Sequence, residues 1–127
     1  MAQSNLEHVN FTVADAPATA RWLCDVFGWK IRWQGPAQNG GHSIHVGTDD
    51  AYLAIFTPRA SRERGGTEKD RVGNLNHVGI TVSDLDAVEA KIKVLGYKPY
   101  NHDDYEPGRR FYFDDENGIE FEVVSYD

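Results

Sequence analysis

The feature that most constrains this chain is an internal repeat. The segment 6–15, LEHVNFTVAD, returns as the segment 75–84, LNHVGITVSD, with six residues identical and in the same order. Each copy continues into a helical stretch that ends in glycine, an aromatic residue and lysine, at 28–30 and again at 96–98. A match of this length and order indicates duplication of one module. We therefore expect two similar structural units.

The repeated segment predicts a β-strand at the start of each module. Its residues alternate between apolar and polar, which is typical of a strand with one buried face. In the first copy Val9, Phe11 and Val13 would point to the buried face, and the second copy repeats the pattern. The histidines His8 and His77 would lie on the opposite, polar face of their strands.

A helix is predicted after each repeated strand. Asp15 and Asp84 stand where N-cap residues belong, and Gly28 and Gly96 stand where a helix commonly ends. The residues predicted to form the buried stripes of the two helices are Ala20, Leu23, Cys24 and Phe27 in the first and Val88, Ile92 and Leu95 in the second. Cys24, the single cysteine, is thus predicted to be a buried structural thiol.

Three shorter strands are predicted after each helix. They cover residues 30–34, 42–47 and 51–57 in the first copy and 98–102, 109–114 and 119–125 in the second. The predicted fold class is α+β: two tandem βαβββ modules that form a curved mixed sheet around a cavity. Within one domain of 127 residues, the modules cover about 5–58 and 74–127, and a polar, glycine-bearing linker covers about 59–73.

The overall charge limits the partners of this chain. A net charge of −7 repels nucleic acid and anionic lipid, so we expect neither as a partner. No apolar run approaches the length of a membrane span, and the first residues lack the pattern of a signal peptide. One cysteine forms no internal disulfide, which suits a reducing compartment. We expect a cytoplasmic protein that binds a small molecule.

The polar face of the predicted sheets carries a possible metal site. Alternation in the last strands would bring Tyr112, Glu120 and Glu122 to the face that carries His77, and the repeat adds His8. Two histidines, a carboxylate and a tyrosine in one concave surface are suited to binding a metal ion. The alternative interpretation is that the histidines are ordinary polar residues at strand starts and that Tyr112 is a wall residue.

The repeated start, the βαβββ order and the segment 112–122, YFDDENGIEFE, resemble the vicinal oxygen chelate superfamily. This group includes glyoxalase I, extradiol dioxygenases, fosfomycin-resistance transferases, methylmalonyl-CoA epimerase and bleomycin-binding proteins. The resemblance implies that His8, His77 and Glu122 are the metal ligands. Glyoxalase I uses a fourth protein ligand, and Ala54 stands at that position here, where alanine cannot coordinate.

Two histidines and one carboxylate make the ligand set of extradiol dioxygenases, which bind Fe(II) or Mn(II). The resemblance favours these two metals, with Zn(II) and Ni(II) as alternatives. Extradiol enzymes also place a tyrosine ten residues before the glutamate, as Tyr112 stands before Glu122, and this implies a catalytic role for Tyr112. The candidates for a further acid or base are the remaining histidines, His42, His45 and His102.

The leading functional prediction is a metal-dependent enzyme most like a ring-cleaving dioxygenase. Two alternatives stay open within the same superfamily. One is a glyoxalase I-like lyase or a thiol transferase of the fosfomycin-resistance branch, where Asn10 replaces a threonine. The other is a metal-free, bleomycin-resistance-like protein that sequesters a drug. The resemblance also implies a homodimer.

Overall fold

The structure is a computed structural model that describes residues 2–61, 63–105 and 108–127. The chain divides into two compact units, Met1–Glu63 and Arg64–Asp127, and the division falls inside the predicted linker. Each unit contains a strand, a helix and three further strands, in that order. This is the two-module α+β fold that the sequence predicts.

The first unit is a four-stranded mixed sheet with one helix. Its elements are β1 (His8–Thr12), α1 (Ala16–Phe27), β2 (Lys30–Pro36), β3 (His42–Gly47) and β4 (Tyr52–Thr57), with a 3₁₀ turn at Gln38–Gly40. The strand order is β1-β4-β3-β2. β1 runs parallel to β4, and the other neighbours are antiparallel. Helix α1 contacts β2, β3 and β4.

The second unit repeats this arrangement. Its elements are β5 (Val78–Thr81), α2 (Leu85–Val94), β6 (Tyr100–Tyr105), β7 (Gly108–Asp114) and β8 (Glu120–Ser125). The strand order is β5-β8-β7-β6, and β5 is parallel to β8. The first and last strands of each module are therefore neighbours, which brings their side chains close together.

Both predicted N-caps are confirmed. An Oδ1 atom accepts a hydrogen bond from the backbone N–H three residues later, at 3.1 Å from Ala18 to Asp15 and at 3.0 Å from Ala87 to Asp84. Such bonds satisfy backbone donors that have no partner inside the helix. The helices have 12 and 10 residues. Within the described part of the chain, no helix has the length and the apolar character needed to cross a membrane.

Both predicted helix ends are confirmed as well. Gly28 and Gly96 have φ values of 70° and 93°, in the left-handed region that glycine adopts without steric cost. Their N–H groups donate to the carbonyl groups of Cys24 and Lys93, each at 2.9 Å. A glycine at this position lets the chain leave the helix and turn back toward the sheet.

The apolar face of the second sheet forms the core of its unit. Phe111, Phe113, Phe121 and Val123 are fully buried, as is Ile92 of α2. The alternate residues of β7 and β8 therefore point away from the helix. This confirms the predicted alternation and fixes which side chains share the polar face.

The predicted helix stripes are wrong at three positions. The side chains of α1 that are buried are Ala16, Thr19, Ala20, Trp22, Leu23 and Val26. Cys24 and Phe27 are only half-buried because they lie at the edge of this stripe. Burial and the charge of Asp25 still raise the pKa of the Cys24 thiol, which keeps it protonated. Leu95 is 43% exposed because α2 ends at Val94 and the chain turns away.

Candidate functional site

His77 and Glu122 meet on the polar face of the second sheet. His77 immediately precedes β5, and Glu122 lies in the neighbouring strand β8. The Nε2 atom of His77 is 3.0 Å from Oε1 of Glu122, and the side chains are 34% and 12% exposed. The structure thus brings together two of the three predicted ligands. His8 belongs to the first unit.

The residue before each repeated histidine holds the imidazole ring. Nδ1 of His77 lies 2.8 Å from Oδ1 of Asn76, and Nδ1 of His8 lies 2.9 Å from Oε1 of Glu7. Both partners are hydrogen-bond acceptors, so Nδ1 of each ring can donate a proton to them. In His77 the Nε2 atom also faces an acceptor, Oε1 of Glu122 at 3.0 Å, so a proton or a cation between these two atoms satisfies both.

Arg110 holds the other oxygen of Glu122. Its Nη1 atom lies 2.9 Å from Oε2 of Glu122, and the two side chains are 16% and 12% exposed. The carboxylate therefore presents Oε1 toward His77 while Oε2 is fixed by a charged hydrogen bond. By contrast, the neighbouring Arg109 forms an exposed ion pair with Asp86 at 3.2 Å.

Tyr112 stands beside this pair. Strands β7 and β8 form a hairpin in which Tyr112 pairs directly with Glu122, and this register explains the ten-residue spacing in the sequence. The ring of Tyr112 meets that of His77 edge-on, with 5.9 Å between centroids. Burial, followed by the charge of Glu122, raises the pKa of the Tyr112 phenol. Tyr112 therefore stays protonated and can donate a hydrogen bond.

An open pocket of about 450 Å³ lies at this face. Its lining residues are Asn76, His77, Asn101, His102, Asp103, Tyr112 and Glu120. Asn101 has a positive φ of 52° at a register shift between β6 and β7. A bulge of this kind redirects side chains and is common near binding sites. The pocket is therefore large enough and polar enough to take a small polar molecule beside His77.

Glu120 has other partners. The hydroxyl of Tyr100 donates to Oε1 of Glu120 at 2.6 Å, and Nζ of Lys69 lies 3.4 Å from Oε2. The closest approach between Glu120 and a ring nitrogen of His77 is 3.8 Å, to the Nδ1 that Asn76 already holds. Of the two glutamates, Glu122 is therefore the one whose carboxylate faces Nε2 of His77.

The separation of the two ligand atoms fits a divalent cation. Two atoms that each bind one cation at about 2.1 Å in adjacent octahedral positions lie about 3.0 Å apart. The distance between Nε2 of His77 and Oε1 of Glu122 is 3.0 Å. Across residues 2–61, 63–105 and 108–127, no group of three or more histidine, cysteine, aspartate or glutamate side chains is arranged around one metal position. The pair therefore offers two donor atoms at a separation that a shared cation or a direct hydrogen bond can span.

Two of the histidines considered as acid or base lie apart from Glu122. Nε2 of His102 is 2.7 Å from Oε2 of Glu89 in α2, and its ring packs on Phe111 on the helix side of the sheet. Nε2 of His42 is 3.4 Å from the side-chain oxygen of Gln34. His102 still lines the pocket beside His77, while its imidazole is paired with Glu89. The described contacts join neither imidazole to His77 or Glu122.

Strand register confirms that Ala54 stands where the second unit has Glu122. In β4, Ala54 pairs with Asn10 of β1, and in β8, Glu122 pairs with Gly79 of β5. Asn10 and Gly79 are equivalent in the repeat. The first unit therefore lacks a carboxylate at this position, and Ala54 is 2% exposed.

The polar face of the first unit carries aromatic rings instead. We call His8, Tyr52, His45 and Trp33 the ring stripe. The centroid of the Tyr52 ring is 4.9 Å from that of His8 and 4.6 Å from that of His45. The centroids of His45 and Trp33 are 5.0 Å apart. By register Tyr52 takes the place of Glu120, so the two units have diverged in chemistry while keeping the same backbone.

Several of these residues were missed by the sequence analysis. Glu7 and Asn76 precede equivalent histidines and both carry an acceptor oxygen, so the repeat itself holds a signal for their role. Arg110 could have been paired with Glu122 only from the hairpin register. Tyr52 carried no signal, because the ring stripe becomes visible only when the strand order is known.

The sequence matches the model of the Glyoxalase/Bleomycin resistance protein/Dioxygenase superfamily over residues 5–123. The chain therefore belongs to this family, which is the vicinal oxygen chelate superfamily that its sequence resembles. A search of curated protein sequences finds no match.

Three solved structures illustrate the similarity of this chain to other proteins of the same fold. A glyoxylase/bleomycin resistance protein/dioxygenase domain from Frankia sp. EAN1pec has a TM-score of 0.77 at 20% identity, over 99% of this chain and all of that one. FosX, a fosfomycin resistance protein from Listeria monocytogenes in complex with Mn(II) and sulfate, has a TM-score of 0.71 at 20% identity, over 98% and 93%. TioX from Micromonospora sp. ML1 has a TM-score of 0.69 at 19% identity, over 98% and 100%. At these identities the likeness shows the fold.

Proposed function

We propose that this protein is a metal-dependent enzyme acting on a small molecule that chelates the metal through two oxygens. Within this class it is most like a ring-cleaving, extradiol-type dioxygenase. The observation that carries the proposal is the 3.0 Å separation between Nε2 of His77 and Oε1 of Glu122. The contact of Nδ1 of His77 with Asn76 supports it, because a proton held on Nδ1 allows Nε2 to bind a cation shared with Glu122.

The proposed ligands are His77, Glu122 and His8. The Nδ1 atom of His8 is held by Glu7 as that of His77 is held by Asn76, so the two histidines are prepared in the same way. Fe(II) or Mn(II) is the favoured metal, with Zn(II) or Ni(II) as alternatives. The Mn(II) in the FosX structure supports a divalent metal in this fold.

The chemistry supplied by a bound divalent cation is polarisation of two substrate oxygens and stabilisation of the negative charge on them. Side chains of the protein would bind and orient the substrate and hold the ligand carboxylate. Tyr112 stays protonated, so its hydroxyl can donate a hydrogen bond to an anionic substrate oxygen. Arg110 fixes Glu122 and keeps Oε1 directed at the ligand position. The pocket beside His77 would hold the substrate.

The experiment is an oxygen-uptake assay with catechol on protein loaded with Fe(II) or Mn(II). We expect uptake together with a ring-opened product, and we expect Tyr112→Phe to lower kcat by about a hundredfold. Tyr126→Phe is the matched control, because Tyr126 is 57% exposed, and it should leave kcat unchanged. The dioxygenase proposal is wrong if loaded protein consumes no oxygen with any catechol while it isomerises a hemithioacetal or adds a thiol to an epoxide.

A second candidate is a metal-free protein that sequesters a drug-like molecule. It is favoured by one observation: Arg110 already places a positive charge 2.9 Å from Glu122. A carboxylate neutralised in this way has less need of a metal ion. Equilibrium dialysis against Mn(II) separates the candidates, because a sequestering protein would bind no metal and would still bind an aromatic compound tightly.

The predicted homodimer and the cytoplasmic location stay part of this proposal. Sedimentation velocity on the whole chain would test the first of these. A single species at the monomer mass would contradict it.

A further inference from the structure

We propose that the ring stripe of the first unit, together with Arg32, binds a planar aromatic ligand that carries a negative charge. This inference concerns the first unit alone and goes beyond the proposed function, because the binding itself requires no metal.

The ring stripe crosses the whole sheet. Its four members come from β1, β4, β3 and β2, which is the order of the strands. The planes of His8 and Tyr52 differ by 18°, and those of His45 and Tyr52 by 24°. Trp33 at the far end is 49% exposed. The inner rings stack on one another, so the stacking surface offered to a planar ligand is the accessible indole of Trp33 at the end of the stripe.

A bulge places a positive charge over this stripe. Ile31 pairs with Val46 and Trp33 pairs with His45, so Arg32 is an extra residue in β2. The guanidinium carbon of Arg32 lies 4.4 Å from the centre of the Tyr52 ring. Bulges redirect a side chain that regular alternation would send to the other face. Arg32 and Trp33, although consecutive, can therefore act on the same ligand.

One hydrogen bond orients the guanidinium group of Arg32 and uses only one of its N–H donors. Its Nη1 atom donates to the carbonyl oxygen of Thr48 at 3.0 Å. A guanidinium has five N–H donors in a planar fork, which matches the geometry of a carboxylate or sulfonate. The charge and the fork together select an anion, and the rings below select an aromatic one.

The first unit lacks the two carboxylates that the second unit carries on this face. Where the second unit has Glu120 and Glu122, the first has Tyr52 and Ala54.

The remaining acid near the ring stripe is Glu7. Its carboxylate accepts from the hydroxyl of Tyr52 at 3.2 Å and lies 2.9 Å from Nδ1 of His8. These two hydrogen bonds engage the Glu7 carboxylate. The cation that lies over the stripe is Arg32, against the Tyr52 ring.

The test is isothermal titration calorimetry with naphthalene-2-sulfonate on chelator-treated protein. A sulfonate is a weak metal ligand, and the neutral naphthalene-2-sulfonamide controls for simple hydrophobic binding. We expect saturable binding of the sulfonate, about tenfold tighter than that of the sulfonamide. Arg32→Gln should remove this preference, and Trp33→Leu should weaken both ligands. Arg21→Gln, an exposed charge-matched control on α1, should change neither.

The proposal is overturned if the sulfonate does not bind, if Arg21→Gln weakens it as much as Arg32→Gln does, or if the sulfonamide binds equally well. Failure of the metal proposal would look different. Glu122→Gln should leave sulfonate binding unchanged, so an inactive or metal-free enzyme that still discriminates the sulfonate supports this inference. Circular dichroism melts of each variant confirm that the fold is retained.

Discussion

Arg110 and His77 each contact a different oxygen of the Glu122 carboxylate. Oε2 is 2.9 Å from Nη1 of Arg110, and Oε1 is 3.0 Å from Nε2 of His77. One oxygen is thereby fixed by a permanent charge, and the other is directed toward a group that can share a metal ion. Under the metal proposal, the stability of the second unit and its affinity for a metal would depend on the same side chains.

The ion pair leads to a prediction about stability. In Arg110→Met, the carboxylate of Glu122, which is 12% exposed, loses its counter-charge, and unfolding free energy should fall by about 2–3 kcal/mol. With saturating Mn(II) the loss should be smaller, because the cation supplies positive charge to Glu122. Urea titrations with and without Mn(II) measure both values. Arg109→Met is the matched control and should cost under about 1 kcal/mol, since its pair with Asp86 is exposed. An equal loss with and without metal would contradict the shared role of Glu122.

Asn76 should act through the tautomer of His77. Its Oδ1 atom holds Nδ1 at 2.8 Å, so Asn76→Ala frees the ring to rotate and to carry its proton on Nε2. We expect the Kd for Mn(II) to rise at least about tenfold, measured by competition with an indicator chelator. Asn74→Ala, which removes only a hydrogen bond to the carbonyl of Glu68, should leave Kd within about twofold. Equal effects of the two variants would show that the tautomer is irrelevant.

His45 should make the first unit less stable in mild acid. Burial lowers its pKa in the folded state, below the value of about 6.5 in the unfolded chain. As pH falls below about 6.5, His45 becomes protonated in the unfolded chain before it does so in the folded chain. The free energy of unfolding therefore decreases between this pH and the lower pKa of the folded state. Urea unfolding of the wild type and of His45→Gln at several pH values between about 7.5 and 5 isolates this contribution. The advantage of the wild type over the variant should shrink on acidification, and a constant or growing advantage would refute the assignment.

Replacing Ala54 with glutamate, the residue at the equivalent position 122 of the second unit, should destabilise the protein. Ala54→Glu would place a carboxylate at a position that is 2% exposed, with Ser43 where the second unit has Arg110. We expect a loss of at least about 2 kcal/mol in unfolding free energy. Ala51→Glu, at an exposed position just before β4, should stay within about 0.5 kcal/mol. A stable Ala54→Glu protein would mean that this face is more hydrated than its burial indicates.

The strand faces and the helix ends were predictable from the sequence, because both depend on residues that are close together along the chain. Period-two alternation placed Phe121 and Glu122 on opposite faces, and local capping chemistry placed Asp84 and Gly96 at the ends of α2. The predicted burial of Leu95 failed because the helix ends one residue earlier.

The unpredicted parts of the site depend on pairing between strands. Arg32 and Trp33, although consecutive, both reach the ring stripe only because a bulge interrupts the β2–β3 register. The contact of Arg110 with Glu122 likewise requires knowledge of the β7–β8 hairpin. Such contacts are set by which residues stand opposite each other, and a single sequence does not encode this in any local pattern.

The most direct test of the metal proposal is the Mn(II) content of loaded, desalted protein, measured by mass spectrometry of the metal. Wild type and Glu120→Gln should retain about one Mn(II) per chain, because Glu120 is engaged by Tyr100 and Lys69. Glu122→Gln, His77→Gln and His8→Gln should retain almost none. Retention of Mn(II) in Glu122→Gln, or its loss in Glu120→Gln alone, would contradict the assignment of His77 and Glu122 as ligands.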